Sequence, residues 1–497
     1  MHVSILVDPH RTIGRIDPKI YGQFLSRRRY VADGGLHAPD HPDADDTGLR
    51  RQVVDAIAAC GPPIVRWPGG CTGTSYDWKD GVGPPAKRPR TIDAHFGYDV
   101  SNGFGTAEFV EFCRRIGAEP LINLNTGLGT LREALEWVEY ANFTTPSRWA
   151  NLRRSHGHER PFDVRYWQIG NEDYGQWEIG QQSAADYAVL AREWGKAIKK
   201  LDPALQVLAV GGSQQGSQWD YTVLHEAWNS IDYLTAHRYW NFNSGRGVDN
   251  YDAIAGVGYL EEQTTRALGE LVDLVARDLK TTSGPRLAFT EWNCRDQRLR
   301  EMTTQWKPIE TQYRLVDALA VAGFLNMMQR QCRHVGLATF AQPINVVGML
   351  FVTDDHVVRE TVYWPLVMQR HYSGATAVDT WVECDGYSAE FEGRMVSGIP
   401  YVDVSSTLDD ATRRLFVSVV NRHRTQEALA QVRLRDITPP TDVLVHRLWH
   451  ADPFARNTIE APDEVAPTEE SVTLPSGTLE ITLPPHSYTI LELMLDR

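Results

Sequence analysis

The 497-residue chain has only six cysteines, and no two of them stand together as a pair. Cys60, Cys71, Cys113, Cys294, Cys332 and Cys384 form no CxxC and no metal-ligand spacing. They read as free thiols of a reducing compartment rather than as a disulfide frame. Sixteen histidines likewise build no HExxH set, and their one HxH, His156-Gly157-His158, has no further His or Cys close in sequence to complete a ligand set, so no required metal and no cofactor are expected. No run of about 18 apolar residues occurs, and the start, MHVSILVDPHRTIGRI, has no basic segment followed by a long apolar one. Neither a membrane span nor a cleaved secretion peptide is indicated, and a cytoplasmic location is expected. Positive charge is also scarce: 50 Lys and Arg against 64 Asp and Glu leave a net −14, the wrong sign for general binding to nucleic acid or an anionic membrane. The one basic run, Arg27-Arg28-Arg29, reads as a solvated loop, with a local site for an anionic group as the alternative.

What is present is an ordinary globular composition, 42% apolar and 23% charged, and two segments with unusual chemistry. WQIGNEDYG (167–175) and RLAFTEWN (286–293) each run an apolar stretch straight into a glutamate. Each reads as a buried strand, Tyr166 to Ile169 and Leu287 to Phe289, that stops at a polar cluster. Glu172 and Glu291 would then stand at strand carboxyl ends, where a parallel barrel keeps its active site. They are 119 residues apart. One strand-plus-helix unit takes roughly 30 to 40 residues, so about three units separate them and they can face each other across one barrel mouth. Opposed carboxylates are what glycosidic bond cleavage needs, one protonated to help the leaving group depart and one ionised to meet the oxocarbenium-like carbon. A lone Glu near a strand end is usually a solvated loop residue. Here Asn171 precedes one and Trp292-Asn293 follow the other, a combination of amides and an indole that suits a sugar site.

From about residue 18 to 370, strand-like runs alternate with helix-like ones, the pattern of parallel βαβ units. Eight strands are predicted: Ile20–Leu25, Ile64–Trp67, Pro120–Leu124, Tyr166–Ile169, Gln206–Val210, Tyr233–Ala236, Leu287–Thr290 and Gly336–Phe340. Between them Leu49, Val53, Ile57 and Cys60 share one helical face that stops at Gly61. Thr130 with Glu133, and Ser183 with Asp186, have the spacing of helix starts. Eight units in succession favour a closed (β/α)8 TIM barrel over an open sheet. After about residue 371 short alternating runs broken by Pro-Pro and by Ser476-Gly477 take over, the pattern of an antiparallel β-sandwich. The N-terminal strand Val3 to Val7 is expected to complete it. The predicted organisation is an N-terminal strand (1–17), a catalytic α/β barrel (18–370) and a C-terminal β-sandwich (371–497).

Other strand ends also carry site-like residues. The second ends in Arg66-Trp67-Pro68-Gly69-Gly70, the sixth in His237-Arg238-Tyr239-Trp240, the eighth in Ala341-Gln342-Pro343-Ile344-Asn345. Gly69 and Gly70 read most simply as turn residues. With these residues the chain resembles glycoside hydrolase family 51, the α-L-arabinofuranosidases. VRWPGGCTGTSYDWKDGVGPPAKRP (65–89) is similar to that family's RYPGGN…Y-W-D-G-GP…RP, and GNEDYGQWEIG (170–180) to its GNE…G-W-IG. TEWN (290–293) is similar to its DEWN, and AQPIN (341–345) to its AQ-VN. The resemblance implies a (β/α)8 barrel with a C-terminal sandwich, and a retaining exo-hydrolase of terminal α-L-arabinofuranosyl residues. Glu172 would be the general acid/base and Glu291 the nucleophile. Asn171 would meet the 2-hydroxyl, and Arg66, His237 and Tyr239 would line the site. Trp177, Trp292 and Gln342 would form subsite walls, with core packing the competing reading for each Trp. The resemblance also implies a glycoside or oligosaccharide as the partner and a homo-oligomer, often a hexamer.

Two positions depart from the pattern. Where the family reads YGHFIEH this chain has Tyr21-Gly22-Gln23-Phe24-Leu25-Ser26-Arg27, so Ser26 replaces a carboxylate that holds sugar hydroxyls. Cys71 stands where many members have Asn. A glycosidase of different specificity, for a β-glucan, a xyloside or another furanoside, is therefore the alternative enzyme reading. A barrel that binds carbohydrate without turnover is the alternative from another class. Two opposed carboxylates speak against the latter, since binding alone does not require them.

Overall fold

The structure is a computed structural model, and it describes residues 1–212, 216–240, 249–294, 303–304, 307–308, 310–391, 393–475 and 479–495. The break expected at Ser476-Gly477 lies outside the described residues.

Eight parallel strands close into a barrel in the order of the chain: Gly22–Phe24, Ile64–Trp67, Glu119–Leu124, Tyr166–Ile169, Gln206–Val210, Tyr233–Trp240, Arg286–Cys294 and Val335–Ala341. Local signals set the helices between them. Buried Val53, Ala56, Ile57 and Cys60 form the inner face of Arg51–Cys60, which ends where Gly61 turns left-handed at φ 58°. Thr130 and Glu133 cap Leu131–Asn142 reciprocally, Glu133 N donating to Thr130 Oγ1 at 3.3 Å and Thr130 N to Glu133 Oε2 at 2.9 Å. Ser183 Oγ accepts from Asp186 N at the head of Ala184–Leu201.

Inside the barrel, Ile64, Leu121, Tyr166, Leu208, Tyr233, Ala288 and Leu337 pack as a dry apolar layer near the strand starts. Two residues further along, the same inward positions carry Arg66, Asn123, Gln168, Thr235 and Thr339, all buried. The barrel is thus apolar at its floor and polar toward its carboxyl-terminal mouth.

Three strands differ from the sequence expectation by more than one residue at an end. The first is short, because Ile20 and Tyr21 belong to a 3₁₀ turn over Pro18–Tyr21. The sixth and seventh run longer, to Trp240 and Cys294, and pair Glu291 with His237 and Asn293 with Tyr239. Polar side chains hid this extension, since hydrogen-bonded pairing does not need the apolar alternation that marks a strand in sequence.

The second unit is a nine-stranded sheet, predominantly antiparallel, built from Thr376–Glu383 and the strands after residue 401 together with the N-terminal strand His2–Arg15, while Gly386–Phe391 and Arg394–Pro400 pair apart from it as a two-stranded ribbon. Val3, Ile5 and Val7 share one core with Val404, Val417, Val432 and Leu491 from the rest of the sheet. The sheet therefore folds over to bury one face of all its parts. His2–Arg15 lies antiparallel to Thr376–Glu383 but parallel to Ala428–Leu434. A parallel neighbour needs a long crossover, and here the whole barrel is that crossover.

Candidate active site

Strand four ends at Ile169, and the chain then turns sharply, with Gly170 at φ 82° and Glu172 itself at φ 47°. A left-handed conformation is uncommon for a residue with a side chain, and such residues gather at functional sites. It sets Glu172 over the barrel mouth, where Trp177 Nε1 donates to its Oε2 at 2.7 Å and His237 Nδ1 lies 2.8 Å from its Oε1. His237 Nε2 in turn lies 3.1 Å from Thr290 Oγ1.

Strand seven delivers Glu291 by a different device. Its pairing with both neighbours slips between Ala288 and Trp292, which is a β-bulge. Phe289 and Trp292 both face outward against Phe324 of the helix Leu315–Arg330. Between them Thr290 and Glu291 turn toward His237, an arrangement strict alternation forbids and a bulge permits. Arg66 Nη1 donates to Glu291 Oε1 at 2.8 Å and Tyr239 OH to Oε2 at 2.7 Å. Arg66 is fully buried, so its charge has no water to face, and its fork binds Glu291 on one side and Asn171 Oδ1 at 2.6 Å on the other.

The two carboxylates come together as the sequence requires. Carboxylate oxygens of Glu172 and Glu291 and a His237 ring nitrogen lie within 4.8 Å of one another. This trio has the ligand types a metal could use, but a guanidinium, a phenol and an indole N–H already donate to its oxygens, which is a proton-handling environment. A second group, Cys71, His95 and Glu178, lies within the same span.

Of the remaining predicted residues, Asn171, Arg66, His237 and Tyr239 join the site directly. Trp177, 51% exposed, stands at its rim holding Glu172. Gln342 Oε1 accepts from Ser26 N at 3.0 Å, and Ser26 Oγ lies 3.3 Å from Thr72 Oγ1, which places both at the first-strand wall. Cys71 lies beside Glu178, and burial, then the charges of Glu178, Glu172 and Glu291, push its thiol well up. Trp292 corrects the sequence reading: it is fully buried and stacked on Phe324 at 4.7 Å, so it builds core and no subsite wall. The reason is strand geometry, since alternation resumes after the bulge and the residue following inward Glu291 points outward. The basic run is no free patch either. Arg27 is buried over the Tyr76 ring and donates to Asn102 Oδ1, while Arg28 packs on Phe96.

Gly70 has more than a turn to make: a Cβ there would lie 2.6 Å from Glu291 Oε1 and 3.3 Å from Asn171 Nδ2. Only glycine lets the backbone pass this close to both. Sequence reasoning missed Thr290, Thr74 and Glu178. Glu178 is buried, and burial together with the charge of Glu172 raises its carboxyl to about 7 against hydrogen bonds from Cys71, Thr74 and Asn171. Its signal was an acidic residue inside the otherwise apolar and glycine-rich run Trp177–Gly180.

A closed (β/α)8 barrel carrying two facing glutamates at the ends of strands four and seven defines a glycoside hydrolase. The α-L-arabinofuranosidase 1 domain matches residues 56–255 and the α-L-arabinofuranosidase C-terminal domain residues 290–487. A probable α-L-arabinofuranosidase C of Aspergillus niger is 33% identical over 98% of this chain and 96% of its own length. An intracellular exo-α-(1→5)-L-arabinofuranosidase of Halalkalibacterium halodurans is 29% identical over 87% of each. The solved structure of the thermostable GH51 α-L-arabinofuranosidase of Thermotoga petrophila superposes with a TM-score of 0.89 at 33% identity, covering 99% of both chains. The chain belongs to glycoside hydrolase family 51, the α-L-arabinofuranosidases.

Proposed function

We propose that this enzyme is a retaining, exo-acting α-L-arabinofuranosidase in which Glu291 attacks the anomeric carbon and Glu172 is the acid and then the base. The observation that carries the reading is the spacing and company of the two carboxylates, whose oxygens approach within 4.8 Å. Retaining enzymes place them about 5 to 5.5 Å apart, while inversion needs about 6.5 to 9.5 Å to admit a water. Arg66 and Tyr239 both donate to Glu291, which suits a nucleophile that must be ionised to attack. His237 beside Glu172 can accept from the acid and donate to the base, so its two tautomers serve the two half-reactions. Proton magnetic resonance of the product first formed from 4-nitrophenyl α-L-arabinofuranoside is expected to show the α anomer. A first-formed β anomer would falsify the double displacement.

Ser26 supports a second reading, a furanosidase whose preferred sugar is not unsubstituted arabinose. Its hydroxyl is engaged with Thr72 and the Arg28 amide, and no carboxylate occupies that position. A sugar hydroxyl left without its partner costs about 1 to 3 kcal/mol, or roughly 5- to 150-fold in kcat/KM. Ser26→Glu is expected to raise kcat/KM on the arabinofuranoside by a factor in that range. Wild-type efficiency that is highest on arabinofuranosides and does not rise in Ser26→Glu would show the departure to be silent. A cytoplasmic homo-oligomer, hexameric as the family resemblance implies, completes the proposal. No helix among the described residues is long and apolar enough to cross a membrane, and the Halalkalibacterium relative is named intracellular.

A further inference from the structure

A chain of hydrogen bonds leaves the nucleophile and ends on a carboxylate that the two-glutamate mechanism does not use. Arg66 Nη1 donates to Glu291 Oε1 at 2.8 Å and Arg66 Nη2 to Asn171 Oδ1 at 2.6 Å. Asn171 Nδ2 then donates to Glu178 Oε1 at 3.1 Å, and Thr74 Oγ1 donates to Glu178 Oε2 at 2.9 Å. A guanidinium only donates and a carboxylate only accepts, so these two neighbours together decide which end of the Asn171 amide is oxygen and which is nitrogen. The same Nδ2 and Glu291 Oε1 converge over Gly70, where an added Cβ would lie 3.3 Å from the one and 2.6 Å from the other. One hydrogen of Nδ2 is engaged with Glu178, and the second is the one that would meet a sugar.

We propose that Glu178 is a positioning residue of the sugar site: through Asn171 it orients the amide that meets the 2-hydroxyl, and it adds a third carboxylate to the cleft in which the cationic transition state forms. The inference deepens the glycosidase reading above and rests on it. A tie that served stability alone would be better made by glutamine, which can accept from Asn171 and donate to Thr74 without burying a charge. Glu178 is 5% exposed and faces Glu172, another acid, with Cys71 and His95 as the other titratable groups beside it. That is an unfavourable place for a carboxylate unless its charge is used. Hydrogen bonds that become stronger with a charged acceptor, and a negative charge near a developing oxocarbenium ion, both favour the transition state over the ground state. The ionised form is then the competent one, and activity rises with pH as Glu178 ionises toward 7.

The test is a double-mutant cycle on kcat/KM with 4-nitrophenyl α-L-arabinofuranoside, joined to a pH profile. Glu178→Ala is expected to lower kcat/KM about 10- to 100-fold, chiefly through kcat. In an Asn171→Ala background the same change is expected to cost at least about 3-fold less than in the wild type, because the part it plays through that amide is gone. Glu178→Gln, which keeps the bond to Asn171 without the charge, is expected to fall between Glu178→Ala and the wild type and to lack the wild-type rise of activity toward pH 7. Equal losses in both backgrounds, or a pH profile unchanged by Glu178→Gln, would overturn the inference and leave the glycosidase reading standing. Should Glu178→Ala not fold, the Gln variant decides alone through its pH profile. A wild type that turns over no glycoside removes the functional reading, and this inference with it.

Discussion

Replacing Glu291 by alanine is expected to lower kcat by about 10⁴-fold or more, on the scale seen when an enzyme loses its nucleophile. No neighbouring group can substitute: Arg66 and Tyr239 are donors, and His237 Nδ1 is 3.9 Å from Glu291 Oε1 and already paired with Glu172. The loss has a signature that a folding defect would not show. The space vacated by the side chain opens onto the anomeric carbon and is lined by Arg66, so a small anion such as azide can enter it and attack from the same face. Azide is then expected to restore turnover of the nitrophenyl substrate and to give the glycosyl azide of inverted configuration. Labelling of a residue other than Glu291 by a mechanism-based inhibitor would show that the nucleophile is elsewhere. An unpaired Arg66 is also expected to destabilise the variant, so Glu291→Gln, which keeps the volume, is the control for fold by thermal unfolding.

For Glu172 the expected effect depends on the leaving group. General acid help is worth about 10²- to 10⁴-fold, and most where the departing oxygen is basic. Glu172→Ala should therefore slow hydrolysis of an alkyl arabinofuranoside or an arabino-oligosaccharide by about that factor and spare the nitrophenyl substrate in the first step. Breakdown of the glycosyl-enzyme also needs Glu172, as base, so the variant should release nitrophenol in a burst and then stall. Azide again discriminates, because here it would attack the covalent intermediate and give the glycosyl azide of retained configuration. The two azide products, inverted from one variant and retained from the other, assign the roles without reference to absolute rates. Equal losses on good and poor leaving groups, with no burst, would argue that Glu172 is not the acid.

Most of the barrel was legible because its strands are short apolar runs with strong punctuation. Glu172 and Glu291 stood out because a carboxylate at the end of a buried run is chemically out of place unless the run leads to a site. Where the reading missed, the missing information was direction or contact. Trp292 reads as a sugar platform beside Glu291, yet on a strand adjacent side chains point to opposite faces, and only the bulge at Thr290–Glu291 tells which residues share the inner one. Arg27 reads as a solvated charge, yet Tyr76 and Asn102, both far along the chain, bury and bind it. Glu178 looks like a loop acid in sequence. Its meaning comes from Asn171, Thr74 and Cys71 closing around it, and Thr74 is 104 residues away.

Sequence by itself determined the alternation that closes the barrel, the change of period that begins the sheet domain, and the two glutamates at the ends of strands four and seven. These are local properties, carried by hydrophobic period and by residue type at element ends. Tertiary structure alone decided what surrounds each carboxylate: Glu291 paired with Arg66 and Tyr239, Glu172 with His237 and Trp177, Glu178 buried behind Asn171. All three are the same residue with the same intrinsic acidity. What separates the proposed nucleophile, acid and positioning group is the charge, the donors and the loss of water around each, and those are supplied by parts of the chain that only folding brings together.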